Sequence, residues 1–208
     1  MYRLMIPVLA VMFFLPACTQ SRGAMITEKF IDDFERTALG SDWYNTGGGY
    51  RIENGVLKIQ DAKNRPLWLK KRLPRDVKVE LDAWSDSPEG DIKIELFGDG
   101  ASYAKTASYT ATSYVLIFGG WKNSKSIIAR MDEHASDRQV RTDVRVVPGR
   151  KYHFSVTRKG NLLSWSIDGS PFLRMDDQMP LEGKGHEYFG FNNWSAPLSF
   201  DNLVIEAL

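Results

Sequence analysis

"DVKVELDAW", residues 76–84, places Val77, Val79, Leu81 and Ala83 on one side of an extended chain and Lys78, Glu80, Asp82 and Trp84 on the other. Side chains alternate across a strand, so this period of two marks a half-buried β-strand. The pattern repeats along the chain. "DIKIEL" (91–96) turns Ile92, Ile94 and Leu96 inward, "KYHFSVTR" (151–158) groups Tyr152, Phe154 and Val156, and "LLSWSI" (162–167) groups Leu163, Trp165 and Ile167. Turns punctuate it: Asn54-Gly55 inside "YRIENGVLKI" (50–59) tolerates the positive backbone angles of a tight hairpin, and Gly160-Asn161 and Asp168-Gly169 fall between strands. From Phe30 onward no segment keeps a 3.6-residue apolar period for three turns. Short strands every 8–12 residues predict an all-β, antiparallel sandwich or barrel. In "LSFDNLVIEAL" (198–208) the parity breaks near Asp201 and Asn202, where a bulge would reconcile the two halves.

The amino terminus reads differently. Arg3 precedes an apolar run from Leu4 to Leu15, too short to span a bilayer and of the length of a secretory signal. "LPAC" (15–18) resembles the bacterial lipobox, which implies that Cys18, the only cysteine, is acylated and becomes the mature amino terminus. Residues 1–17 are then a signal peptide and 18–27 a short polar tether. Thr19 and Gln20 leave no Asp after the cysteine, which implies an outer-membrane destination. Removing Arg3 with the signal leaves 26 basic and 26 acidic residues of the 27 and 26 in the whole chain. A neutral mature domain lacks the basic footprint of nucleic-acid binding. The three histidines, His134, His153 and His186, follow no zinc-ligand spacing, and no metal site is expected.

Several segments together resemble the concanavalin A-like lectin/glucanase superfamily, including laminin-G-like and ketodisaccharide-hydrolase-type domains. They are "FIDDFERTALGSDW" (30–43), the hairpin "YRIENGVLKI", "WSIDGSPFLRMDD" (165–177) and the closing "GHEYFGFNNWSAPLSFDNLVIEAL" (185–208). The resemblance covers residues 28–208. It implies a jelly-roll-like sandwich whose last strand returns beside the first, and by analogy alone a structural calcium. It leaves activity open, because lectins, glycosidases, lyases and adhesive modules share this fold.

Four stretches are candidate sites. Glu80 and Asp82 share a strand face as in the superfamily's "E-x-D-x-E" glucanases, but Trp84 and Ser85 occupy the acid/base positions, which reads as a solvated strand face. "GGWKNSKSIIARMDEH" (119–134) offers Trp121 to stack on a sugar, Asn123 and Arg130 to bond its hydroxyls, and Asp132, Glu133 and His134 for acid/base chemistry; equally, Trp121 packs under a loop and Arg130 pairs across the sheet. In "FNNW" (191–194), Asn192 and Trp194 share parity with Tyr188, as a sugar platform or as a sealed strand end. "KNRPLWLKKRLPRDVK" (63–78) is a basic stripe that suits anionic lipid or polysaccharide; alternatively, Trp68, Lys70 and Arg72 form the solvated side of an edge strand. In "GASYAKTASYTATSY" (100–114), Tyr103 and Tyr109 are further stacking candidates. The expectation is a lipid-anchored envelope protein with a non-catalytic carbohydrate-binding or surface-interaction sandwich, its glycan contacts being Trp121, Asn123, Arg130, Asn192 and Trp194. Two rivals stand beside it: a glycan-active hydrolase or lyase using Glu133, His134 or Asp132, and a structural envelope lipoprotein that binds a protein partner.

Overall fold

The computed structural model describes residues 23–106 and 109–208. The expected signal peptide and Cys18 lie outside the described residues. Fifteen strands form two antiparallel sheets packed face to face. One sheet runs β13 (Ser170–Asp176), β12 (Leu162–Ile167), β11 (Tyr152–Lys159), β6 (Val77–Ser85), β15 (Leu198–Ala207), β4 (Val56–Ile59) and β3 (Arg51–Glu53), with β1 (Lys29–Asp32) also paired to β15. The other runs β10 (Gln139–Arg141), β9 (Lys125–Arg130), β8 (Tyr114–Gly119), β7 (Ile92–Gly98), β14 (Tyr188–Asn192), β5 (Leu67–Arg72) and β2 (Trp43–Asn45). This is the antiparallel sandwich that the alternation predicts, in the jelly-roll-like form that the resemblance implies.

The inward faces make the core. Val77, Val79, Leu81 and Ala83 of β6 meet Ile92, Ile94 and Leu96 of β7, and all are buried. Aromatic rings bridge the two layers: Phe118 lies 5.0 Å from Tyr152, edge to face, and Phe191 lies 4.6 Å from Phe200. Asn54 and Gly55 adopt φ of 52° and 72°, the geometry of a tight hairpin turn. β15 carries the expected bulge, its register against β6 shifting between Asp201 and Val204. The bulge divides the strand, so residues 198–200 pair with β4 and residues 203–206 with β1. The last strand does return beside the first.

The basic stripe needs correction. Trp68 is fully buried, not solvated, and β5 is an interior strand between β14 and β2. The Trp68 ring lies over Gly98 of β7 and Gly190 of β14, where a Cβ would approach it within 2.4 and 2.8 Å. Its indole N–H donates to the Ser102 carbonyl at 3.0 Å. The segment containing Ser102 folds over the outer face of the seven-stranded sheet: Ala104 N–H donates to Asn64 O, and Ala111 N–H to Met131 O. The face expected to meet water is therefore covered at Trp68, while Lys70 stays exposed and Arg72 partly so.

The end of the expected tether is also ordered against the sheet. Ile26 N–H donates to Arg72 O and Arg72 N–H to Ala24 O, both at 2.9 Å, and Ile26 is buried. Arg72, Tyr188 and Gly98 are cross-strand neighbours at this end of β5, β14 and β7. Leu67, Phe191 and Ile94 are neighbours toward the opposite end. Lys93 to Gly98 spans about 17 Å at the usual strand rise.

Candidate functional site

At that opposite end, a groove of about 850 Å³ opens on the outer face of the seven-stranded sheet. Its floor begins at β7. Because Ile92, Ile94 and Leu96 point to the core, Lys93 and Glu95 point the other way, and Asp91 at the strand entry lines the same groove. Lys93 is only 1% exposed. Its ammonium donates to Asn64 Oδ1 at 2.7 Å and to Glu133 Oε2 at 2.6 Å. Glu95, completely buried, accepts from Ser113 Oγ and from Asn192 Nδ2, both at 2.5 Å; burial pushes its carboxyl above the usual range. Asn192 Nδ2 also reaches Asn64 Oδ1 at 3.4 Å, which joins the two halves into one network. Buried charges persist only when paired and hydrogen-bonded, and this floor meets both conditions.

Two tryptophans line the groove above it. Trp121 sits in the β8–β9 connection, where Trp121, Lys122 and Asn123 adopt φ of 50°, 57° and 58°. Three successive side-chain-bearing residues in the left-handed region cost about 1–2 kcal/mol each. Asn123 holds the turn: its Nδ2 donates to Val146 O (2.7 Å) and Pro88 O (3.1 Å), while its Oδ1 accepts from Val146 N–H (2.9 Å). Trp121 rests on a small apolar cluster that includes Val115, Ile117 and Ile127. The His134 ring meets Trp121 edge-on at 5.6 Å, and Lys125 and Arg138 lie over its ring at 5.1 and 5.5 Å. Trp194 is 41% exposed, with the Lys63 ammonium 4.7 Å from its ring. The Trp194 backbone N–H donates to Asp91 Oδ2 at 3.3 Å. Burial pushes the Asp91 carboxyl up to about 6 against the opposing pull of Lys93 and that N–H. Tyr109 also lines the groove; its buried hydroxyl has no hydrogen-bond partner among the described residues.

Among the residues singled out in the sequence, Trp121, Asp132, Glu133, His134 and Trp194 come together around the groove. Asn123 stands behind the wall as the clamp of the strained turn, and Asn192 lies beneath the floor. Arg130 points elsewhere, its Nε to Asp177 Oδ2 (3.1 Å) and its guanidinium to Met179 O (3.2 Å). Tyr188 sits at the other end of β14, separated from the parity of Asn192 by a register shift after it. Glu80 and Asp82 lie on the other sheet, 3.6 and 3.0 Å from the His153 ring nitrogens. Asn64, Asp91, Lys93 and Glu95 were not singled out; alternating charges between isoleucines look the same whether water or protein covers them. Among the described residues no three His, Cys, Asp or Glu side chains cluster as metal ligands.

The same two-sheet fold is found in solved structures of binding modules and of hydrolases. The carbohydrate-binding module CBM66 from Bacillus subtilis superposes with a TM-score of 0.59 at 17% identity, over 82% of this chain and 98% of that one. A Bacillus subtilis protein of unknown function with a galectin-like fold gives 0.62 at 13% identity, over 89% and 97%. A β-1,3-1,4-glucanase (lichenase) derived from a mouse hindgut metagenome gives 0.60 at 10% identity, over 86% and 99%. A family model described as "Farnesoic acid 0-methyl transferase" matches residues 101–203, a little under half of the chain. No curated protein sequence matches it.

Proposed function

We propose that the groove binds a saccharide and that the protein is a carbohydrate-recognition module, tethered to the outer membrane through acylated Cys18. The observation that carries this reading is the placement of Trp121 and Trp194 around a floor whose lining groups, Asn64, Lys93 and Glu133, are fixed by hydrogen bonds. A sugar ring has an apolar face and a fringe of hydroxyls, so it needs flat aromatic surface together with fixed polar partners. Strain concentrated at the turn that presents Trp121 supports a functional wall, since such backbone persists where the surroundings hold it for a purpose. The kinship in fold with a carbohydrate-binding module is consistent with it. Binding without cleavage is supported by Glu133, whose carboxylate serves Lys93 as counter-charge.

One observation favours a second reading. A groove carboxyl held near 6, as Asp91 is, suits a general acid at neutral pH, and glycan hydrolysis needs one. Native electrophoresis of the mature protein through gels containing neutral or acidic polysaccharides separates the readings. Retardation that disappears in Trp194→Ala supports recognition. Clearing of the embedded polymer transfers the assignment to a hydrolase with Asp91 as acid. Unchanged mobility in every gel defeats both.

A further inference from the structure

We propose that the groove prefers sugars bearing a free amine over their acetylated or acidic counterparts, and that Asp91 sets this preference; the inference rests on the saccharide-groove reading above. It follows from how the charges around the groove are engaged. Lys93 is buried and held by Glu133 and Asn64. Lys63 lies over Trp194 and 3.3 Å from Asp61, and Lys125 and Arg138 lie over Trp121. Three carboxylates, Glu89, Asp91 and Asp132, line the groove, and among the described residues no lysine or arginine stands within 4.0 Å of any of them. Against them only Lys122 lines the groove without a carboxylate partner among the described residues. Among the groups that line the groove the unpaired charge is thus acidic, three carboxylates against Lys122, with Lys125 and Arg138 set over Trp121 at one wall; near Asp91 an ammonium is attracted and a uronate repelled.

Asp91 is the carboxylate placed to read the ligand. Its backbone N–H is fixed to Gly119 O at 2.9 Å and its Oδ2 accepts from the Trp194 N–H, while Oδ1 has no donor among the described residues. It therefore stands between the strained turn and Trp194. A pyranose seated on Trp194 brings its substituents toward that oxygen. No three His, Cys, Asp or Glu side chains cluster as metal ligands among the described residues. On this proposal these acids meet a cation carried by the ligand itself.

The test is calorimetric titration of the mature protein with tetramers of glucosamine, N-acetylglucosamine and galacturonic acid. Expected is about tenfold tighter binding of the free amine than of the acetylated tetramer, the size of one charge-assisted hydrogen bond, with the uronate weakest. Asp91→Asn should bring the amine-to-acetyl ratio within about twofold; Asn tolerates the left-handed backbone of that position, where φ is 64°. Glu89→Gln, at a carboxylate of the same groove lining, should lower the same ratio by a smaller factor and serves if the first variant misfolds. Equal or tighter binding of the acetylated or acidic tetramer overturns the inference, and the groove reading survives if Trp194→Ala abolishes that binding. A full ratio retained in Asp91→Asn removes the role of Asp91. Absence of binding by all three, or binding indifferent to Trp194→Ala, overturns both the inference and the reading beneath it.

Discussion

Replacing Glu133 by Gln tests whether this residue is a structural counter-charge or a free acid. The Lys93 side chain is 1% exposed, and its ammonium has two acceptors, Asn64 Oδ1 and Glu133 Oε2. Gln keeps an oxygen near Nζ but leaves a buried positive charge with amide partners alone. Breaking a buried ion pair at one end costs about 3–5 kcal/mol. The retained acceptor, together with the neighbouring Asp91 and Glu95, places the expected loss at about 2–3 kcal/mol. For a domain of this size that is about 5–10 °C in melting temperature. Lys93→Met should cost less, because Glu133 is 17% exposed and can turn to water and to His134. The double variant should then lose less than the sum of the two. Thermal melts followed by circular dichroism give all three values. A fall below 2 °C in Glu133→Gln, or a larger cost for Lys93→Met, would refute the argument and restore Glu133 as a candidate proton donor.

Trp194→Ala should weaken saccharide binding by about tenfold or more with little change in melting temperature, since the ring is largely outside the core; Trp121→Ala should lose affinity and also about 1–2 kcal/mol of stability, because that ring packs on Ile117 and its neighbours. Between pH 4 and 6 the folded state retains a proton on Asp91 that the unfolded chain has released, so stability falls as pH rises through this window, by about 1–3 kcal/mol for a carboxyl raised from 3.8 to about 6. Asp91→Asn should lack this fall and be more stable than the wild type at pH 7; urea titrations that run parallel at pH 4 and pH 7 for the two proteins would contradict it. Gly190→Ala should cost about 2–3 kcal/mol, because its Cβ would lie 2.8 Å from a Trp68 ring with no room to retreat. Adding Trp68→Leu to that variant should recover part of the loss, and a neutral Gly190→Ala would show that the ring is not confined.

Two nearly identical segments show what was legible in the sequence. "VKVEL" (77–81) and "IKIEL" (92–96) both announce a strand with an apolar face, and both form one. Their polar faces differ. Lys78 and Glu80 remain partly exposed on the outside of the eight-stranded sheet, whereas Lys93 and Glu95 are buried. The difference lies in what covers each sheet, Ser113 and Glu133 from distant loops in the second case, and no local pattern reports that. The hairpin at Asn54-Gly55 and the bulge at Asp201 were readable because turn geometry and strand parity are local properties. Trp121, Trp194 and Glu133 were readable as candidates by residue type, but their meeting in one groove depends on the pairing of β7 with both β8 and β14. Asn123 and Arg130 have the right chemistry for a ligand, yet their hydrogen-bonding groups are turned to the protein itself.

The chain enters the domain beside Arg72, at the end of β5, β14 and β7 away from the groove. Under the proposed anchoring through the amino terminus, the groove would lie at the far end of these strands from the point of attachment. A pull on a polymer seated there would then run along these strands. Their cross-strand hydrogen bonds lie perpendicular to that direction, so they are loaded in shear and share the force, rather than opening one after another. With the proposed anchor and groove, this layout would make the sandwich a stiff mechanical link between a polymer and its support.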